Sequence, residues 1–391
     1  MSDPVVVAAA RTAIATSFKG SLVNVSAEEL ATAIVTETLR RSRLDPGSVD
    51  DIILAESHYG GGDLARYAAT AAGLHAVPGH AVNRHCAGSL TAVSVGAAQI
   101  KSGMESAIIA GGVQSMSTSP AMTWRVPGPE LEFQERWLPP THVETPDAPT
   151  LDMSITVGWN TAKALGISRE DMDAWALRSH QRAIAAIEAG KFVDEIVPVL
   201  VRTADGSTTE FATDQYPRRD TTAEKLAGLK VLHPEIEGFS ITAGNSSGVN
   251  DAAAALALAS AELAARDGLD TMAAVRAWAA IGVDPRDTGL AAFKVIPKVL
   301  ARAGLTVSDI ALWEINEAFA STPIAACREL GINEDLVNTS GSGCSLGHPI
   351  AASGARMLTT LIYELRRRGG GIGVAAMCAG GGQGGAVVIE V

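Results

Sequence analysis

Three features of the chain predict an α/β fold built from two similar halves. Short Val/Ala-rich runs alternate with stretches of helical apolar spacing. One pattern, Ser48-Val49-Asp50-Asp51-Ile52-Ile53-Leu54, returns as Val307-Ser308-Asp309-Ile310-Ala311-Leu312-Trp313, aligning Asp51-Ile52 with Asp309-Ile310. Each copy is followed by a glycine-rich turn, a helix and a small-residue strand that runs into glycines, Gly111-Gly112 in the first and Gly380-Gly381-Gly382 in the second. Such alternation argues for a mostly parallel sheet covered by helices. A pattern repeated so far apart argues for duplication.

The elements follow in order. Val5 to Ala10 reads as a strand, and Ala27 to Arg41 has the spacing of an amphipathic helix with Ser26 as N-cap. Asp51 to Glu56 is a second strand, and His75 to Val82 leads into the turn Asn83-Arg84-His85-Cys86. The small apolar run Thr91 to Ile100 continues as a helix, followed by a strand Ser106 to Ala110 ending in the glycine pair. From residue 117 to 238 the texture changes: prolines cluster at 127, 129, 139, 140, 146 and 149, and charge rises. This stretch is predicted to be an inserted loop domain. Within it Ser168 caps a helix that runs to Gly190, with Asp171 placed to close a capping box. The first half therefore spans residues 1–116, completed by about 239–268, and the second half spans 269–391. Ligands in such folds bind beyond the carboxyl ends of strands, where both glycine pairs are expected as turns.

Composition narrows the function. A chain of 391 residues, 47% hydrophobic, can bury a large core. Its net charge of −12 argues against nucleic acid or an anionic membrane as partner. The basic residues Arg218, Arg219, Lys225 and Lys230 form the best local cluster, read either as solvated surface charge or as a phosphate site. Cysteines 86, 327, 344 and 378 form no C-x-x-C pair, so no structural zinc or disulfide framework is indicated. Cys344 and His348 fall in a glycine-rich loop, and no metal site is expected there. The N-terminus has no signal-peptide pattern, and Val387-Val388-Ile389-Glu390-Val391 matches no peroxisomal or retention tripeptide; a cytoplasmic location is expected.

Cys86 is the residue around which the chemistry can be placed. A thiol opening a helix faces unpaired backbone N–H groups and the positive end of the helix dipole, which favour thiolate. Ala87, Gly88 and Ser89 leave room for a carbonyl to approach the sulfur. Taken alone, such a cysteine reads more readily as an inert core residue, because free cysteine is among the most buried residue types. Three further stretches stand at strand ends or glycine turns of the second half: Asn316-Glu317-Ala318-Phe319, Gly347-His348-Pro349, and Cys378 to Gly384.

Together these stretches resemble the thiolase family, enzymes that cleave or form 3-ketoacyl-CoA by thioester chemistry. The resemblance runs over nearly the whole chain, through Asn83-Arg84-His85-Cys86, Gly111-Gly112 with Met116-Ser117, Ile167-Ser168-Arg169-Glu170-Asp171, Thr242-Ala243-Gly244-Asn245-Ser246-Ser247-Gly248, and the three stretches above. It implies a thiolase-like fold, two βαβ-type halves forming a layered αβαβα core. It also implies Cys86 as acyl-accepting nucleophile, His348 as its base, Asn316 as holder of a water that joins His348 at the thioester oxygen, and Cys378 as acid/base for the α-carbon. The N–H groups of Cys86 and Gly380 would form an oxyanion hole, while Arg218 and Ser247 match CoA-contacting positions. No cofactor is implied beyond coenzyme A as substrate, and the partners implied are CoA thioesters and further copies of the chain, as homodimer or homotetramer.

The chain departs from the family pattern at Gly88-Ser89, where Ser-Gly is usual, at Gln114, where glutamate is usual, and at Ala291-Ala292 and Ala351. Degradative thiolysis, acetyl-CoA C-acyltransferase activity in lipid breakdown, is the leading expectation. A biosynthetic acetyl-CoA C-acetyltransferase making acetoacetyl-CoA and a non-catalytic acyl-CoA or lipid-binding protein are the alternatives. A decarboxylating ketoacyl synthase, a cousin of the same fold, would carry histidine where this chain has Cys378.

Overall fold

The computed structural model describes residues 2–59, 62–135, 140–203 and 206–391; Pro139 of the proline cluster lies outside the described residues. The first half contributes β1 (Pro4–Thr12), α1 (Ala27–Ser42), β2 (Asp51–Ala55), α2 (Leu64–Ala71), β3 (Gly79–Val82), α3 (Gly88–Ser102) and β4 (Ala107–Gln114). Then come α4 (Arg169–Glu188), β5 (Ile196–Val197) and β6 (Asn250–Ser260). The second half contributes β7 (Ala273–Gly282), α5 (Ile296–Ala303), β8 (Leu312–Ile315), α6 (Ser321–Leu330), α7 (Ser353–Arg367), β9 (Ile372–Ala379) and β10 (Gln383–Glu390). Ser26 and Ser168 cap α1 and α4 through complete capping boxes with Glu29 and Asp171.

The strands lie in the order β8-β9-β10-β7-β1-β6-β4-β2-β3. Outward from the β1–β7 junction, β1, β6, β4 and β2 correspond to β7, β10, β9 and β8. The junction itself is narrow, formed by Val5 with Ala274 and Val6 with Ala273. The sheet is mixed, which corrects the expectation of a mostly parallel one. Along this order, β2 runs parallel to β3 and β4, and β8 to β9, while the other described neighbours are antiparallel. β6 and β10 enter beside β4 and β9 antiparallel, β10 by the tight glycine turn after Ala379. The repeat also aligns differently from its sequence echo: 3₁₀ turns Pro46–Ser48 and Val307–Asp309 precede their strands by equal gaps, so Asp51 matches Leu312 and not Asp309.

Strand alternation produces the layers. Ile52 and Leu54 of β2 face outward onto Leu30, Ile34 and Val35 of α1, while Ile53 faces inward. In β9, Val374 and Ala376 face outward toward Ile296 and Val299 of α5, while Ala375 and Met377 face inward. The two inward faces enclose α3 and α7 through Leu90, Val93, Leu358, Leu361 and Ile362. Helix, sheet, helix, sheet and helix are thus stacked in five layers around an apolar centre. The unusual Gly88-Ser89 order has a role there. A Cβ on Gly88 would lie 2.8 Å from that of Ala55, and Ser89 Oγ accepts the N–H of Ala355 at 3.0 Å, capping the first turn of α7 from the neighbouring helix.

The glycine pair 111–112 corrects a second expectation: it lies inside β4, not in a turn. A Cβ at Gly111 would stand 2.1 Å from the Ala254 carbonyl oxygen, and one at Gly112 would stand 2.0 Å from that of Ala351. The glycines permit close approach of backbone, and the second brings β4 against the segment that follows His348.

Residues 117–238 hold more regular structure than a loop insertion suggests. β5 pairs in parallel with β1, and Arg11 binds Glu195 and, bidentately, Asp214 inside the core. Among the described residues, no helix is long and apolar enough to cross a membrane.

Candidate active site

Cys86 sits in a 3₁₀ turn, His85–Ala87, placed between the end of β3 and the start of α3. His85 adopts a left-handed φ of 45°, and its N–H is held by Asn83 Oδ1 at 2.8 Å. This bend turns Cys86 toward a cavity of about 210 Å³. The same cavity is lined by His348, Cys378, Gly380, Ser247, Met116 and Phe319. Residues remote in sequence, from both halves and from the segment before β6, therefore meet at one place.

Cys378 ends β9 and is fully buried. Burial pushes its thiol far up, the nearby Cys86 adds to the effect, and only its own backbone N–H and Thr322 oppose it. Cys86 keeps partial exposure to the cavity, yet the protein around it pushes its thiol up to about 11, against the N–H groups of Gly380 and of Cys86 itself, which favour thiolate. This reverses the expected thiolate: the helix start supplies the anticipated N–H groups, and desolvation outweighs them. In the free enzyme, alkylation of Cys86 by iodoacetamide should accordingly rise about tenfold per pH unit between pH 6 and 9, since only thiolate reacts. Peptide mass mapping across that range checks it; a rate already level near pH 7 would contradict the raised thiol.

His348 is buried, and desolvation first, then the charge of Arg356, push its imidazole down to about 3, so it is neutral at physiological pH. The backbone N–H of His348 donates to Asn250 Oδ1 at 3.0 Å, and Asn250 Nδ2 donates in turn to the Ala15 carbonyl at 3.1 Å. Gly347, with φ of 103°, lies against the Asn250 side chain, where a Cβ would be 2.5 Å from Cγ. On the ring, Nδ1 lies 2.6 Å from Ser353 Oγ, and that hydroxyl lies 2.8 Å from the Pro349 carbonyl. Asn316 follows β8 one layer deeper than the cavity wall, its Nδ2 3.4 Å from His348 Nε2 and its Oδ1 buried with no protein partner. Gln114, where the family pattern has glutamate, accepts the Ala351 N–H at 3.2 Å and so helps to hold the turn after Pro349.

Glu317, next to Asn316, fastens this region to the inserted segment. Its carboxylate accepts from Trp175 Nε1 (2.9 Å) and Ser179 Oγ (2.6 Å) on α4, from Asn338 Nδ2 (2.8 Å) and from the Cys344 N–H (3.0 Å). Cys344 is thereby placed behind the site; its stretch, expected as a loop, forms a short helix Gly343–Leu346. Sequence reasoning did not single out Glu317, Thr322 or Ser353, nor the imidazoles of His58 and His85 that face the cavity.

Of the two expected CoA contacts, Ser247 lines the cavity and Arg218 does not. Arg218 is exposed, its guanidinium 5.6 Å from the ring centre of Tyr216, and Tyr216 in turn packs on Gly248 at the cavity wall. His180 on α4 accepts the Arg218 N–H at 3.2 Å. The rest of the basic cluster is partly neutralised: Arg219 pairs with Glu188, and Lys225 with Asp220 at 2.6 Å.

Two thiols, an imidazole and backbone N–H groups facing one cavity of a duplicated α/β core define an acyltransferase. The chain belongs to the thiolase family. Residues 4–262 match the family description "Thiolase, N-terminal domain" and residues 269–391 match "Thiolase, C-terminal domain". It is 40% identical to an acetyl-CoA acetyltransferase of Pseudomonas aeruginosa over 402 aligned residues, covering 100% of this chain and 99% of that protein. It is also 40% identical to a 3-ketoacyl-CoA thiolase of Bacillus subtilis, with 100% of each chain covered. The crystal structure of the Bacillus anthracis acetyl-CoA acetyltransferase superposes with a TM-score of 0.92 at 38% identity, covering 100% of this chain and 99% of that one.

Proposed function

We propose that the enzyme transfers acyl groups between 3-ketoacyl-CoA and CoA through an acyl-enzyme on Cys86, working in the degradative direction. The observation that carries this reading is the meeting of Cys86, His348 and Cys378 at one cavity, with Asn316 directly behind the imidazole.

In thiolysis, His348 takes the Cys86 proton as the sulfur attacks the 3-keto carbon, so the reactive thiolate exists only once substrate is in place. The oxyanion meets the N–H groups of Cys86 and Gly380, the groups that already point at the sulfur. The C2–C3 bond breaks, leaving the acyl group on Cys86 and the enolate of acetyl-CoA. The enolate oxygen is held by protonated His348 together with Asn316 through a water, and the Cys378 thiol gives its proton to C2. A thiol held well above its ordinary pKa suits that step, because it stays protonated and comes nearer in acidity to a carbon acid. The Cys378 thiolate then takes the proton of incoming CoA, whose sulfur attacks the acyl-enzyme, and His348 returns its proton to Cys86. The enzyme ends as it began, with both thiols protonated.

The insertion is read as the CoA-binding element, its Arg218 reaching the phosphate-bearing end, while Ser247 just beyond it meets the pantetheine. Arg218→Ala should raise KM for the CoA thioester roughly fivefold, the ~1 kcal/mol of an exposed ion pair, with kcat nearly kept. Steady-state kinetics tests this, and a large fall in kcat at unchanged KM would be the wrong outcome. The reading also takes the enzyme as a cytoplasmic homodimer or homotetramer; light scattering on the purified protein tests the oligomeric state, and cell fractionation the location.

Relatives of equal identity carry both the acetyltransferase and the ketoacyl thiolase names, so similarity leaves the direction and chain length to experiment. The deciding assay offers free CoA with 3-ketoacyl-CoAs of increasing length. Turnover that persists beyond acetoacetyl-CoA supports degradative thiolysis. Activity confined to acetoacetyl-CoA would instead mark the biosynthetic enzyme, and CoA-thioester binding without turnover a non-catalytic one.

A further inference from the structure

We propose that Ser353 is a positioning residue that fixes the tautomer of His348, keeping the proton on Nδ1 and the lone pair on Nε2. The inference rests on the reading of His348 as the base.

The ring is held at Nδ1. On the Nδ1 side, Ser353 Oγ lies 2.6 Å from the ring and 2.8 Å from the Pro349 carbonyl four residues earlier. A carbonyl oxygen only accepts, so the Ser353 hydroxyl donates its single proton there, the back-bond common for serine in a first helical turn. Its lone pairs then face Nδ1, which must carry the hydrogen. Asn316 Nδ2 stands 3.4 Å from Nε2 and 3.5 Å from Nδ1, so it does not distinguish the two ring nitrogens. The Ser353 hydroxyl is therefore the neighbour that selects the tautomer.

The remaining contacts hold this arrangement rigid. Ser353 is completely buried at the first position of α7, where the Ser353 and Ala352 N–H groups close onto the Pro349 carbonyl at 2.9 and 3.0 Å. The next turn is tied to α3 by the Ser89–Ala355 hydrogen bond. The positive end of α7 and the guanidinium of Arg356, paired with Glu314 at 2.9 Å, both disfavour a second proton on the ring until the thiol proton arrives. With the proton on Nδ1, Nε2 is the nitrogen free to receive the Cys86 proton and, once protonated, to donate to the enolate oxygen. The opposite tautomer would direct N–H at the thiol and could not act as base without a ring flip, which the 2.6 Å contact to Ser353 restrains.

The decisive measurement is made on the wild-type protein. In protein labelled with ¹⁵N-histidine, the His348 signals, assigned by their loss in His348→Gln, should show a protonated Nδ1 and a bare Nε2 at pH 7 to 8. A wild-type ring protonated on Nε2 would overturn the proposal. Ser353→Ala should leave the ring mixed or switched in tautomer and lower kcat about 10- to 100-fold, the usual cost of removing a group that orients a catalytic imidazole, with KM within about twofold. Ser353→Thr, which keeps the hydroxyl, should restore the tautomer and most of kcat. Unchanged tautomer and rate in Ser353→Ala would also overturn the role. If wild-type enzyme turns over 3-ketoacyl-CoA while its ring carries the proton on Nε2, this inference fails alone; if it binds without turnover, the functional reading fails and the tautomer stands.

Discussion

Replacing Cys86 by alanine is expected to abolish acyl-enzyme formation and to lower turnover by at least about 10⁴-fold, with the fold intact. The size follows from the chemistry: without a sulfur at the cavity, the acyl group has no covalent station, and water or CoA must attack the ketoacyl thioester directly. Folding should survive because Cys86 lies in a turn with partial exposure, and the hydrogen bonds of that turn are made by backbone and by Asn83. Mass spectrometry after incubation with acetyl-CoA reads the result. Wild-type protein should gain one acetyl group on Cys86, and Cys86→Ala none. Cys378 and Cys344 are buried, and Cys344 is committed to the network around Glu317, so neither should substitute. An acetyl group retained by the variant, or found on Cys327 in the wild type, would refute the assignment.

What the sequence disclosed and what it withheld follow the range of the interactions involved. The N-cap at Ser26 and the capping box at Ser168 were legible because donor and acceptor lie three residues apart. The two-half α/β plan was legible because the strand-turn-helix pattern recurs, whereas the five-layer core was implied only by the family resemblance. Sheet direction was not: β6 returns beside β4 only after the whole inserted segment, and nothing local in Asn250 to Ser260 states its orientation. The Gly111-Gly112 pair looked like a turn because glycine is ambiguous by itself; the backbone oxygens that require it belong to Ala254 and Ala351.

The site divides in the same way. Cys86, His348 and Cys378 could be named from their motifs, and the structure brings them to one cavity. The ionisation of Cys86 could not, because the helix start is written locally whereas the desolvation that outweighs it is contributed by β9 and the loops around the cavity. Glu317 was hidden for a related reason: its partners Trp175 and Ser179 sit on a helix of the inserted segment, which seemed separate from the catalytic core. Arg218 stood out by charge alone, and its link to the cavity through Tyr216 and Gly248 required the fold.

Replacing Cys378 by alanine is expected to separate the two halves of the reaction. The variant should still be acylated on Cys86 by acetyl-CoA, though more slowly, because nucleophile, base and oxyanion donors all remain. It should fail to exchange the methyl protons of acetyl-CoA with deuterated solvent, a step that needs a group able to take and return a carbon-bound proton. Loss of a general acid/base costs about 10²–10⁴ in rate, which would bring exchange close to background. NMR of acetyl-CoA in D₂O, run beside the intact mass of each variant, measures both properties in one sample. Cys86→Ala provides the mirror image, retaining Cys378 and losing the acetyl adduct. Position supports the assignment: the Cys378 thiol is enclosed near the end of β9 and lines the same cavity as Cys86. Exchange at the wild-type rate in Cys378→Ala would assign the carbon proton to another group, and the imidazoles of His348, His58 and His85 that line the same cavity would be the next to test.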